Sequence, residues 1–119
     1  MTKLRIATRR SNLAVRQSRL VADAISSHHE GLEVELVAMT TRGDRVRGPL
    51  WSAGGKGLFT RELEEALRSG RVELAVHSAK DLPAEMAADF TIAAVPARAD
   101  PRDALISRLG GVDGLPAGA

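Results

Sequence analysis

The sequence predicts an α/β domain with a mixed, mostly parallel sheet and helices on its faces, and three observations carry that expectation. Apolar segments at 4–8, 32–39 and 72–76 read as strands. Two stretches with helical spacing, 13–25 and 58–69, separate them. This strand–helix–strand–helix–strand order needs helical crossovers, and crossovers build parallel sheets.

The elements follow in order. Leu4, Ile6 and Thr8 alternate with Arg5, Ala7 and Arg9, as in a short strand that ends in a polar loop. Ser11 is a good N-cap for the helix Leu13–Ile25, whose apolar face is expected at Leu13, Leu20, Val21, Ala24 and Ile25. His28, His29, Glu30 and Gly31 close it. Leu32–Met39 is the second strand. A long polar segment follows, Thr40–Gly57, of a length that in compact domains is often functional. Leu58–Ser69 is the second helix, with Phe59, Leu63, Ala66 and Leu67 inward and Gly70 ending it. Val72–Val76 is the third strand, Phe90–Val95 is expected as a fourth, and Asp103–Arg108 as the start of a fifth.

At 119 residues the chain can bury one modest core. Aromatic residues are 3% and the net charge is +2, which argues against nucleic acid, since that partner favours a basic stripe and stacking rings. With no cysteine there is no disulfide, thiolate metal site or thiol nucleophile. No apolar stretch approaches the ~18 residues of a membrane span, and the N-terminus shows no leader pattern, so a cytoplasmic protein without a membrane partner is expected.

Ligands of parallel sheets bind outside the carboxyl ends of the strands. The loops Arg9–Ser11, Thr40–Gly57 and His77–Pro83 should therefore share one rim. In the first, a helix N-terminus favours an anion and Arg9 adds a bidentate fork, although a plain N-cap with solvated arginines reads equally well. In the second, Gly54-Gly55-Lys56-Gly57 superficially resembles a phosphate loop. Leu50 and Gly57 stand where that pattern needs Gly and Ser or Thr, so a nucleotide triphosphate is disfavoured. What survives is a loop presenting one ammonium. The third loop packs Ser78, Lys80 and Asp81 into four residues; Lys80 and Asp81 form either a surface pair or part of an anion site that moves a proton. His77 reads as structural more readily than as a base. His28 and His29 lie away from any acidic cluster, so no metal site is expected. Of the chain's three lysines, Lys56 and Lys80 both fall in these loops.

Read together, these segments resemble the porphobilinogen deaminase (hydroxymethylbilane synthase) family. The resemblance rests on LRIATRRSNLAVRQ (4–17), VELVAMTTRGD (34–44), GGKGLFTRELEEAL (54–67), AVHSAKDLP (75–83) and ADPRDALISR (99–108), in that order. It implies a lobe of the type II periplasmic-binding-protein-like fold, incomplete at this length, with residues 1–97 in a first domain and 98–119 as hinge and start of a second. It implies a transferase of tetrapyrrole and haem biosynthesis that joins four porphobilinogens head to tail on a covalent dipyrromethane primer, losing ammonia each time. By matching motifs, Arg9, Ser11, Lys56, Ser78 and Lys80 would bind the carboxylates of primer and substrate. Asp81 would be the catalytic carboxylate, stabilising the cationic pyrroles formed as ammonia leaves and the new bond closes.

Two departures stand out. Ser52 occupies a position where many family members carry a Lys. The family has three domains and a primer-bearing Cys in the third, whereas this chain has no Cys. The resemblance therefore implies a truncated, split or remnant chain, inactive alone and at best marginally stable, and a monomer for the complete enzyme. A non-catalytic anion-binding module of periplasmic-binding-protein type, or a decayed remnant, is the alternative.

Overall fold

A computed structural model describes residues 2–49, 54–55 and 57–119. Strand β1 (Lys3–Arg9) leads into helix α1 (Asn12–His28), strand β2 (Glu33–Met39) and the one-turn helix α2 (Arg42–Arg45). Helix α3 (Arg61–Arg68) and the short strand β3 (Leu74–Ala75) follow, then single 3-10 turns at Ala79–Asp81 and Val112–Gly114. The sheet order is β2-β1-β3 and both pairings are parallel. The mostly parallel sheet and its flanking helices are thus as the sequence predicts.

Strand β1 is central and its alternation serves two layers. Leu4 and Ile6 face α1 and pack around Ala22, with Val21, Ile25, Val34 and Leu36 partly buried beside them. Ala7 faces the opposite way, with Met39, Leu63, Ala66 and Val72. Because successive side chains of a strand point to opposite faces, Arg5 and Arg9 share the face of Ala7 and α3. Arg9 thereby enters the site from the end of the buried central strand.

The two ends of the sheet carry different charge arrangements. At the amino end, Lys3 pairs with Glu33 (3.1 Å) and Glu35 (2.9 Å), and Glu73 accepts the Arg5 backbone N–H at 2.7 Å as well as its guanidinium. The exposed Lys3 pairs and the half-buried Arg5–Glu73 pair fix strand neighbours, and the exposed ones add little stability. The carboxyl end gathers the candidate site.

Several expectations need correction. Helix α1 buries Ser18 and Ala22, while Leu13 and Leu20 are 58% and 62% exposed and Ala24 is exposed too. At about 3.6 residues per turn, Leu13, Leu20 and Ala24 fall opposite Ser18 and Ala22, so only Val21 and Ile25 of the expected face reach the sheet. The small pair Ser18 and Ala22 lets the helix approach closely along a narrow seam. Phe90–Val95 and Asp103–Arg108 form no strands; Val95 and Ile106 are 84% and 97% exposed. Their alternation suits a strand, but a strand also needs a ladder partner, and no described residue pairs with either segment. Helix α3 begins at Arg61 rather than Leu58, because Gly57 at φ +76° and the turn 57–60 hold the chain out of helix.

Candidate functional site

The loops after β1, β2 and β3 converge at the carboxyl end of the sheet, and one guanidinium ties them together. The Arg9 Nε donates to Asp44 Oδ1 at 3.2 Å, with Nη2 on the same oxygen, while Nη1 donates to Asp81 Oδ2 at 3.0 Å. The side chains of Arg9, Asp44 and Asp81 are only 16–18% exposed, so this cluster is far better shielded than the pairs at the other end. The Arg9 guanidinium also lies over the Phe59 ring, 4.1 Å from its centroid, where the ring face attracts a cation.

Asp44 is held from its own side as well. Thr41, fully buried, donates its backbone N–H (3.1 Å) and its hydroxyl (2.7 Å) to Asp44 Oδ2, closing a capping box on α2. Burial pushes the Asp44 carboxyl up, but the Arg9 and Thr41 hydrogen bonds outweigh it and hold the group below its ordinary 3.8. For Arg9 the Asp44 hydrogen bonds dominate over burial, and the charges of Asp44 and Asp81 add to them, so its pKa is raised. Asp81 has a looser hold. Among the described residues Arg9 takes Oδ2, and none takes Oδ1.

Contacts between α2 and the residues at the start of α3 set this geometry. Gly43 donates its N–H to Leu58 O at 2.8 Å, and Glu62 Oε1 accepts the Arg42 N–H at 2.8 Å, so α2 is stitched to the start of α3. A Cβ on Gly43 would stand 2.2 Å from Phe59 Cε1. Gly43→Ala is therefore expected to push the ring from beneath Arg9 and destabilise the domain by about 1–3 kcal/mol. A thermal unfolding midpoint equal to wild type would show that the ring shifts at no cost.

The other expected site residues are placed as follows. Ser11 is the N-cap of α1, its Oγ accepting the Ala14 N–H at 3.4 Å. Ser78 donates to Gln17 Oε1 at 2.9 Å, which joins the third loop to α1. Lys80 is exposed on the 3-10 turn Ala79–Asp81. Lys56 and Ser52 lie outside the described residues. His77 is largely buried with Nδ1 unpartnered among the described residues; burial lowers its pKa below 6.5 against the opposing charges of Asp81 and Glu64. The described residues contain no grouping of His, Cys, Asp and Glu fit to hold a metal. None of their helices is long and apolar enough to cross a membrane.

The sequence reading missed Asp44, Thr41, Phe59 and Gln17 as site residues. For Thr41 and Asp44 a signal was present: a Thr followed three residues later by an acid is a capping-box pattern, here directly after a strand. The helical spacing of Phe59 with Leu63, Ala66 and Leu67 points it to the core, and Gln17 carries no local pattern that announces its partner.

The lobe is a parallel α/β sheet whose strand-end loops bring two carboxylates to one guanidinium, and its family match places it in the type II periplasmic-binding-protein-like class. Residues 4–119 match the family model described as porphobilinogen deaminase, dipyromethane cofactor binding domain. The porphobilinogen deaminase of Xanthomonas axonopodis pv. citri (strain 306) is 54% identical over the whole chain, which covers 40% of that relative. That of Roseiflexus sp. (strain RS-1) is 53% identical over 96% of the chain and 38% of the relative. The chain belongs to the porphobilinogen deaminase family, a family of transferases, and spans about 40% of the length of these relatives.

Proposed function

We propose that this chain supplies one wall of the catalytic cleft of a hydroxymethylbilane synthase, the enzyme that condenses four porphobilinogens with loss of ammonia. The single observation that carries the reading is the Arg9 guanidinium bridging loops two and three, with Asp81 Oδ1 taken by no hydrogen-bond donor among the described residues. The names of the relatives, porphobilinogen deaminases all, supply the substrate class.

The residues suit a dipyrromethane in two respects. Carboxylate arms need fixed cations, and this rim offers the outer N–H directions of Arg9 and the exposed Lys80, with the N-terminus of α1 behind Ser11. Pyrrole N–H groups need an acceptor, which Asp81 Oδ1 provides. The covalent attachment is not among this chain's contributions, since it has no Cys. When bound, the primer supplies the free pyrrole α-carbon to which the next unit is joined.

The roles of the chain's own residues follow from this arrangement. Arg9 and Lys80, with Lys56 by motif, hold acetate and propionate arms, and Ser11 and Ser78 add hydroxyls to the same rim. Asp81 stands against the substrate pyrrole N–H. As the aminomethyl arm loses ammonia the ring becomes cationic, and a fixed carboxylate stabilises that charge more than the neutral ground state. The same oxygen can take the proton released when the ring regains aromaticity. Residues 1–97 would form the first domain and 98–119 the passage into a second. The complete enzyme would work as a cytoplasmic monomer.

A non-catalytic anion binder would use the same rim without bond cleavage. The test is to supply porphobilinogen to the full-length protein that carries this domain and follow ammonia and linear tetrapyrrole together. One ammonia per pyrrole consumed is expected; binding without ammonia release would establish the binder instead.

A further inference from the structure

The two carboxylates on Arg9 are held unequally, and that inequality has a use. Asp44 receives Nε and Nη2 from Arg9 and both the N–H and the hydroxyl of buried Thr41. Among the described residues Asp81 receives Nη1 of Arg9 alone, at 3.0 Å, and it sits on a three-residue 3-10 turn. Phe59 covers one face of the guanidinium, so Arg9 is pinned on one edge and one face while its remaining edge meets Asp81. An anion approaching Arg9 displaces the weaker of the two ties.

We propose that Asp44 is a positioning residue that anchors Arg9, so that an arriving substrate carboxylate takes the guanidinium edge now held by Asp81 and releases Asp81 to the reacting pyrrole. This rests on the reading of Asp81 as the catalytic carboxylate. It gives the binding step a chemical consequence: with no carboxylate arm bound, Asp81 is tied to Arg9, and with one bound it is free to face a cation. The exchange is even in charge, one carboxylate leaving the guanidinium as another arrives. It needs no movement of Asp44, whose capping box is part of α2. Removing the anchor lets Arg9 turn both forks to Asp81, and a substrate carboxylate then competes with a bidentate pair.

The experiment is steady-state kinetics on the full-length deaminase that carries this domain, with porphobilinogen as substrate. Asp44→Asn keeps the size and an acceptor for Thr41 but removes the charge. It is expected to raise KM about tenfold or more, while kcat falls by less than about threefold, because at saturation the substrate already holds Arg9. An unchanged KM, or a loss confined to kcat, overturns the proposal. Thr41→Val is the second variant, useful if Asp44→Asn does not accumulate. It weakens the anchor without touching Arg9 and should raise KM by a few-fold, roughly, in the same direction; an unchanged KM there also overturns it. Normal turnover in Asp81→Asn would instead defeat the catalytic reading itself, so the two failures are told apart.

Discussion

Asp81→Asn is expected to lower turnover of the full-length deaminase that carries this domain by about two to four orders of magnitude. The amide has the shape of the carboxylate and its oxygen can still accept the Arg9 Nη1–H, so the 3.0 Å contact and the 3-10 turn behind it persist. On the proposed role, what is lost is the charge that would face the pyrrole as ammonia departs. On the proposed roles Arg9 and Lys80 still hold the carboxylate arms, and a neutral amide yields the Arg9 edge more readily than a carboxylate, so substrate binding should persist or tighten. The measurement is the rate of tetrapyrrole formation beside equilibrium binding of porphobilinogen, with the unfolding midpoint as a check on folding. Turnover near wild type would remove Asp81 from the reaction.

The place of Asp81 on a loop at a strand's carboxyl end is legible in the local pattern, whereas its catalytic role comes only from the family resemblance. The alternation of Leu4 and Ile6 against Ala7 and Arg9 reports the pleat, and the pleat sends Arg9 to the α3 face at the strand's carboxyl end. The three rim loops follow from strand order alone. What could not be read depends on docking. Nothing near Asp44 in sequence reveals that its charge lies against Arg9, since the pairing needs β1 and β2 in register, Arg9 against Met39, with α2 turning back over the end. The strand expected at Phe90–Val95 fails for the same reason in reverse: its local pattern is right, and among the described residues no ladder partner stands beside it. Leu13 and Leu20 mislead because they are apolar and helically spaced, yet the seam is set by the small residues Ser18 and Ala22.

Arg9→Met should destabilise the domain by about 2 kcal/mol at neutral pH, a figure between the negligible cost of breaking exposed pairs and the 3–5 kcal/mol of buried ones. Methionine keeps the aliphatic length above Phe59, so most of the loss is electrostatic: Asp44 and Asp81 stay behind, shielded, close together and without their shared cation. The pH dependence identifies this cause. In the wild type the Asp44 carboxyl is held below its ordinary 3.8, so its contribution is fully present above that value and is lost as pH falls through the depressed one. In Arg9→Met the pull from the guanidinium is gone, burial still pushes Asp44 up, and protonation then relieves the repulsion rather than breaking a pair. The gap in unfolding midpoint between variant and wild type should therefore be widest near neutrality and narrow below about pH 4. Midpoints measured at about pH 7 and about pH 3.5 decide it. A gap of the same size at both would assign the loss to the missing guanidinium stack on Phe59, and the carboxylates would then be bystanders to stability.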